Sequence, residues 1–233
     1  MHEHHSHLAV GFAAVLLAGL LTPTAAAEGT VPLGGGAGID VRGQLCTLTT
    51  IGHDSAGALV GFTSAHCGGP GAPVAAEGGA GPLGSVVAAN AGLDYAVIKF
   101  DPAKVAPISN VDGFAINGIG PELGQVELQT ACQQSRATGH ACAQIFAGTS
   151  QTLYECGNPD DEGAPFTVND LLVGMIRGGF TPDGSPCPQI HGFVAVHPYF
   201  PPRDRPQIVS INAILNDVNA KGGPGAGFSP IPC

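Results

Sequence analysis

The chain has 233 residues, with 8 Lys+Arg against 18 Asp+Glu for a formal charge of -10, and only 11% of its residues are charged. That charge has the wrong sign for gripping a phosphate backbone, which excludes nucleic acid as a partner. The 36 Gly, the 20 Pro and the lack of charges at helical spacing exclude a coiled coil or a long helical bundle, while 44% hydrophobic residues is too many for a disordered chain.

Leu8 to Leu21 is apolar apart from glycines, the length of a signal-peptide core and short of the roughly 20 residues a membrane span needs. Ala25-Ala26-Ala27 offers a small-residue cleavage site, so residues 1–27 read as a signal peptide. The region before the apolar core carries His2, His4, His5 and His7 in place of Lys or Arg, and these leave with it. The mature chain is then expected to be secreted, in the medium or the cell envelope, with no membrane span.

Residues 28–38 are Gly-rich and read as a flexible arm. Short apolar runs follow at regular intervals: Leu45 to Ile51, Ala58 to Ser64, Ser85 to Ala89, Tyr95 to Phe100, Gln125 to Thr130, Ala143 to Phe146, Phe166 to Val168, Leu171 to Ile176 and Phe193 to Val196. Gly, Pro, Asn or Asp separate most of them, the pattern of an all-β sandwich or barrel. Asp101 to Pro121, with three prolines, reads as the connection between two halves, 39–115 and 116–207. Ser210 can cap a helix at 208–221 whose Ile211, Ile214, Leu215 and Val218 share a face, and Gly222-Gly223-Pro224 stops it. The last segment, 222–233, reads as a flexible tail.

Export makes the seven cysteines disulfide candidates. Pairing neighbours joins Cys46 to Cys67, Cys132 to Cys142 and Cys156 to Cys187; other pairings stay open. Cys233 is left as a free thiol or an intermolecular bridge, so the chain is a monomer or a dimer through Cys233. The spacings lack the repeated Cys-x-x-Cys of a zinc site, and no metal or cofactor is expected.

Thr63-Ser64-Ala65-His66-Cys67 puts a histidine before a cysteine at the end of an apolar strand, and Leu93-Asp94-Tyr95-Ala96-Val97-Ile98 puts an acid at the head of another. Together they resemble the two signatures of the chymotrypsin-like serine proteases that carry the base and its orienting acid. The hairpin segment from Cys132 to Cys142, and Leu172-Val173-Gly174-Met175-Ile176-Arg177-Gly178-Gly179, are similar to the bacterial branch that includes α-lytic protease and the streptogrisins. The resemblance covers about Val41 to Ala220. It implies two six-stranded antiparallel β-barrels, at 39–115 and 116–207, a cleft between them and a C-terminal helix. It makes His66 the base and Asp94 its orienter, and it fits the disulfides flanking the site.

The nucleophile breaks the pattern. In that branch a cysteine is followed six residues later by the catalytic serine within Gly-Asp-Ser-Gly-Gly; here Cys156-Gly157-Asn158-Pro159-Asp160-Asp161-Glu162-Gly163 keeps the register with Glu162 at the serine position. A carboxylate has no proton for an imidazole to remove at neutral pH, so acyl transfer through it stops. Asp160 replaces the glycine whose N–H helps form the oxyanion hole, setting negative charge where more would develop. Gln133 stands where relatives commonly place an arginine that pairs with Asp161. Arg177 stands where the family has a serine bonded to the triad acid and brings a cation into the cleft, beside Gly178 and Gly179. Three successive acids, Asp160 to Glu162, need a cation nearby unless they form a solvated turn, and Arg177 and protonated His66 are the candidates to pair with Glu162 and plug the site.

Two classes compete: an exported, catalytically inactive protease homologue that binds a polypeptide, and a hydrolase using another nucleophile, Ser150 or Ser185, or a metal held by His66, Asp94 and Glu162. A third class uses the barrels only as a stable surface.

Overall fold

A computed structural model describes Met1 and residues 29–121, 129–145, 161–177 and 207–232. Those residues are mostly strand with a single α-helix, and the strands lie in curled sheets resembling half-barrels, as the all-β reading expects. One sheet orders its strands as Ser229–Pro230, Thr50–His53, Leu59–Thr63, Tyr95–Phe100, Gly84–Asn90, Pro73–Ala76, Gly38–Val41 and Gln44–Thr47. The other orders Gly139–Ile145, Gln129–Ser135, Pro165–Val168, Leu171–Arg177 and Gln207–Ser210. Neighbours within both sheets are antiparallel.

Alternation of side chains along each strand fills two cores. Ile39, Val41, Leu48, Val74, Val86 and Ile98 line the inside of the first sheet. The second core joins the halves: Val60, Phe62, Tyr95 and Val97 from the first sheet meet Leu172 and Met175 from the second and Ile211, Ile214 and Val218 from the helix. The helix Ile211–Lys221 begins where Ser210 Oγ accepts from the Ala213 N–H, and ends at Gly222, whose φ of 69° no branched residue would take cheaply. Asp217 ties this helix to the first sheet, accepting from Asn90 Nδ2 at 2.8 Å, the Tyr95 hydroxyl at 2.6 Å and Lys221 Nζ at 2.6 Å.

Residues 31–38 and 222–232 depart from the reading as loose segments. Val31–Leu33 pairs in parallel with Val105–Pro107 as a separate two-stranded sheet, Leu33 is buried, and the Gly36 N–H donates to Leu48 O, so the arm is held in place from residue 31 onward. At the other end Ser229–Pro230 adds a strand beside Thr50–His53, Phe228 packs edge-on against Phe62, and the Gly225 N–H donates to the buried Asp54 carboxylate. Composition misleads here because the glycines serve turns of positive φ between anchored residues. Cys233 lies outside the described residues.

Candidate active site

Register brings the first two candidate residues together. In the antiparallel pair Leu59–Thr63 with Tyr95–Phe100, Thr63 lies opposite Ala96, so the residues after Thr63 and the residue before Tyr95 share one end of the sheet. Ser64 caps a one-turn 3-10 helix, Ala65–Cys67, by accepting from the His66 N–H. His66 Nδ1 lies 2.6 Å from Asp94 Oδ1, which also accepts from Ser64 Oγ at 2.9 Å and the His66 N–H at 3.2 Å. A carboxylate only accepts, so Nδ1 holds the ring proton and Nε2 is the basic nitrogen. The imidazole is 58% exposed and the carboxylate fully buried.

Asp94 is held under constraint. Its φ is 51°, a conformation costly for a residue with a Cβ, and its Oδ2 is buried with no hydrogen-bond partner among the described residues. Both costs accompany a geometry that aims one oxygen at the imidazole.

The loop of successive acids is buried rather than a solvated turn, at the two positions described. Asp161 is 2% exposed and Glu162 4%. Asp160 lies outside the described residues, as do Gly178, Gly179, Ser150, Ser185 and the Cys156 and Cys187 pair. Backbone bonds pin the loop on both sides: the Thr47 N–H donates to Glu162 O, the Gly163 N–H to Ile176 O, the Ala164 N–H to Asp161 O, and the Ile176 N–H to Ala164 O. Gly163 has a φ of 85°, and a Cβ there would stand 2.3 Å from Thr47 O and 2.5 Å from Thr63 Oγ1. Only glycine fits.

Asp161 has partners that the sequence reading missed. Ser135 Oγ donates to its Oδ1, and Thr138 Oγ1 lies 3.2 and 3.3 Å from its two oxygens. Gln133, at the expected arginine position, donates through Nε2 to Thr138 Oγ1 at 3.3 Å and so supports this hydroxyl pair. Two hydroxyls across a tight turn, Ser135 and Thr138, were the available signal, since both are short donors with few other uses in a hairpin tip. The same turn reaches the first sheet: Arg136 donates from Nε and Nη2 to the two Glu77 oxygens at 3.0 and 2.6 Å, and its N–H to Thr47 Oγ1. The guanidinium beside Glu77 holds that carboxyl below its ordinary range.

Ion pairs join His66 to Asp94, Arg136 to Glu77 and Lys221 to Asp217. The His66 ring is committed to Asp94 through Nδ1, and the Glu162 carboxylate lies within 4.8 Å of the Cys46 and Cys67 sulfurs. Those sulfurs form a disulfide, as do Cys132 and Cys142. His66, Asp94 and Glu162 do not converge as a three-ligand cluster among the described residues. Arg177 closes the strand Leu171–Arg177, half-buried, one residue beyond the Ile176 contact to the acid loop.

No protein-family model matches the chain, and no curated protein does. Solved structures do. Thermobifida fusca Protease A is similar at a TM-score of 0.57 and 16% identity, with 81% of this chain and 97% of that one covered. A glutamic acid-specific serine protease that uses a histidine triad in substrate binding aligns at a TM-score of 0.59 and 14% identity, over 85% of this chain and 100% of that one. A Cellulomonas bogoriensis chymotrypsin aligns at 0.52 and 20% identity, over 87% and 100%. The fold is that of bacterial chymotrypsin-like serine proteases.

Proposed function

We propose that the chain is an exported protease homologue without hydrolytic activity that acts by binding a polypeptide. The observation carrying this reading is the pairing of an intact base with a changed partner: His66 stays oriented by Asp94, while the residue before the indispensable Gly163 is a buried glutamate. A glutamate there gives the imidazole no hydroxyl to deprotonate. Asp160 at the oxyanion position would add a further loss, since one oxyanion donor is worth about 10² to 10³ in kcat. The fold itself belongs to enzymes that hold polypeptides, which supports a polypeptide as ligand, and the apolar leader supports export. Among the described residues no helix is long and apolar enough to cross a membrane.

The intact His66–Asp94 pair is also what an active hydrolase would need, with its nucleophile supplied by Ser150, Ser185 or a metal. One experiment separates the readings. The oxidised mature chain is exposed to a fluorophosphonate probe and to a labelled unfolded protein, with and without chelator, beside the E162S and D160G/E162S variants. The expected result is silence from the natural chain and labelling of the double variant at position 162. Labelling or cleavage by the natural chain overturns the inactive reading, and loss of that activity with chelator assigns it to a metal.

A further inference from the structure

The two disulfides between described residues lie in opposite chemical surroundings. Cys46 and Cys67 are 1% and 4% exposed, with the Glu162 carboxylate within 4.8 Å of both sulfurs. Cys142 is exposed and Cys132 half-buried, on the hairpin Gln129–Ser135 with Gly139–Ile145. Register sets Cys132 directly across from Cys142, and the two-residue strand period puts His140 on the same face as Cys142. His140 Nε2 lies 3.3 Å from Cys142 Sγ, and its ring packs edge-on against Phe114 at 5.6 Å.

From this we infer that the Cys132–Cys142 bond is a thiol-exchange site, open to small or protein thiols, while Cys46–Cys67 is inert. Exchange runs through attack of a thiolate on one sulfur with departure of the other, and it is faster when the leaving thiolate is stabilised. Here the incoming thiolate bonds to Cys132 Sγ, the S–S bond breaks, and its electron pair leaves on Cys142 Sγ, to which His140 Nε2–H donates. A second thiol then attacks the mixed disulfide at the reagent sulfur, so two thiols become one external disulfide and the protein gains two thiols. At Cys46–Cys67 the same step would create a thiolate beside a buried carboxylate, away from solvent, and both features oppose it.

The inference does not depend on whether the chain is an enzyme. It is tested on the folded, oxidised chain with dithiothreitol at neutral pH, quenching at short times with an alkylating reagent and mapping labelled cysteines by mass. Labels at Cys132 and Cys142 are expected at least about 100-fold faster than at Cys46 and Cys67. H140Q, which replaces the imidazole with a neutral amide, is expected to slow the fast step about threefold to tenfold, and H140R, which sets a cation with N–H donors there, to recover it. Equal rates at the two bonds, or Cys46–Cys67 opening first, would overturn the assignment of the site. An H140Q rate within twofold of the natural chain, or H140R as slow as H140Q, would overturn the role of His140.

Discussion

The two sides of the candidate site are held in different ways. On one side stands the end of the first sheet, where the His66 imidazole meets the Asp94 carboxylate at 2.6 Å and Ser64 Oγ donates to the same oxygen. On the other stands the loop Asp161 to Ala164, whose backbone is pinned by four backbone hydrogen bonds and which carries two buried carboxylates, Asp161 and Glu162. The frame of the loop is fixed by groups that tolerate nothing else, Gly163 above all. Backbone geometry and side-chain chemistry are therefore separable: the hydrogen bonds from Thr47 and Ile176 that hold this loop run through main-chain atoms.

The strongest way to break this comparison is at Gly163. G163A places a Cβ against Thr47 O and Thr63 Oγ1 at a positive φ, and a loss of about 3–5 kcal/mol is expected in denaturant unfolding. A loss under 1 kcal/mol would show that the loop is not held as described. Next comes the hydroxyl pair on Asp161. S135A/T138V leaves a buried carboxylate short of donors and should cost about 2–3 kcal/mol, with the amides of Gly163 and Ala164 exchanging faster. T138S keeps the hydroxyl and should keep their protection.

Smaller effects sharpen the contrast between site and scaffold. Opening the Arg136–Glu77 pair with E77Q, on a partly exposed carboxylate, should cost only about 0.5–1 kcal/mol and less at high salt. The helix anchor is read through pH. Asp217 is lowered to about 2, chiefly by the hydrogen bond from Lys221 and then by those from Tyr95 and Asn90. A depressed carboxyl stabilises the fold above its unfolded value of 3.8 and loses that contribution as pH falls toward 2. Thermal melts between pH 5 and 2 should fall less steeply for D217N than for the natural chain, the melts at pH 2 converging. Parallel curves would remove Asp217 from the account.

Much of this arrangement was legible in the residues. The strand Tyr95–Phe100 and the capped helix follow from periodicity and from Ser210 and Gly222, because local patterns dictate them. The His66–Asp94 contact was legible through resemblance, since only register in three dimensions brings residues 28 positions apart together. What composition hid was docking: a glycine-rich end looks loose in a one-dimensional reading, whereas Val31–Leu33 and Ser229–Pro230 find open strand edges to pair with. The Asp161 partners were hidden for a similar reason. Serine and threonine in a turn are common, and nothing local says that a buried carboxylate waits 23 to 26 residues further on.

The strand Ser229–Pro230 has a consequence for how the protein survives at high concentration. It lies along the outer edge of Thr50–His53 and brings its backbone so close that a Cβ on Gly52 would stand 2.0 Å from Ser229 O. An uncovered strand edge is a template on which another molecule can build, and here the chain's own segment Ser229–Pro230 occupies it, with Pro230 and Pro232 bringing no N–H to extend the ladder. Truncation after Gly222 is therefore expected to increase self-association relative to the natural chain, visible as a concentration-dependent shift in light scattering.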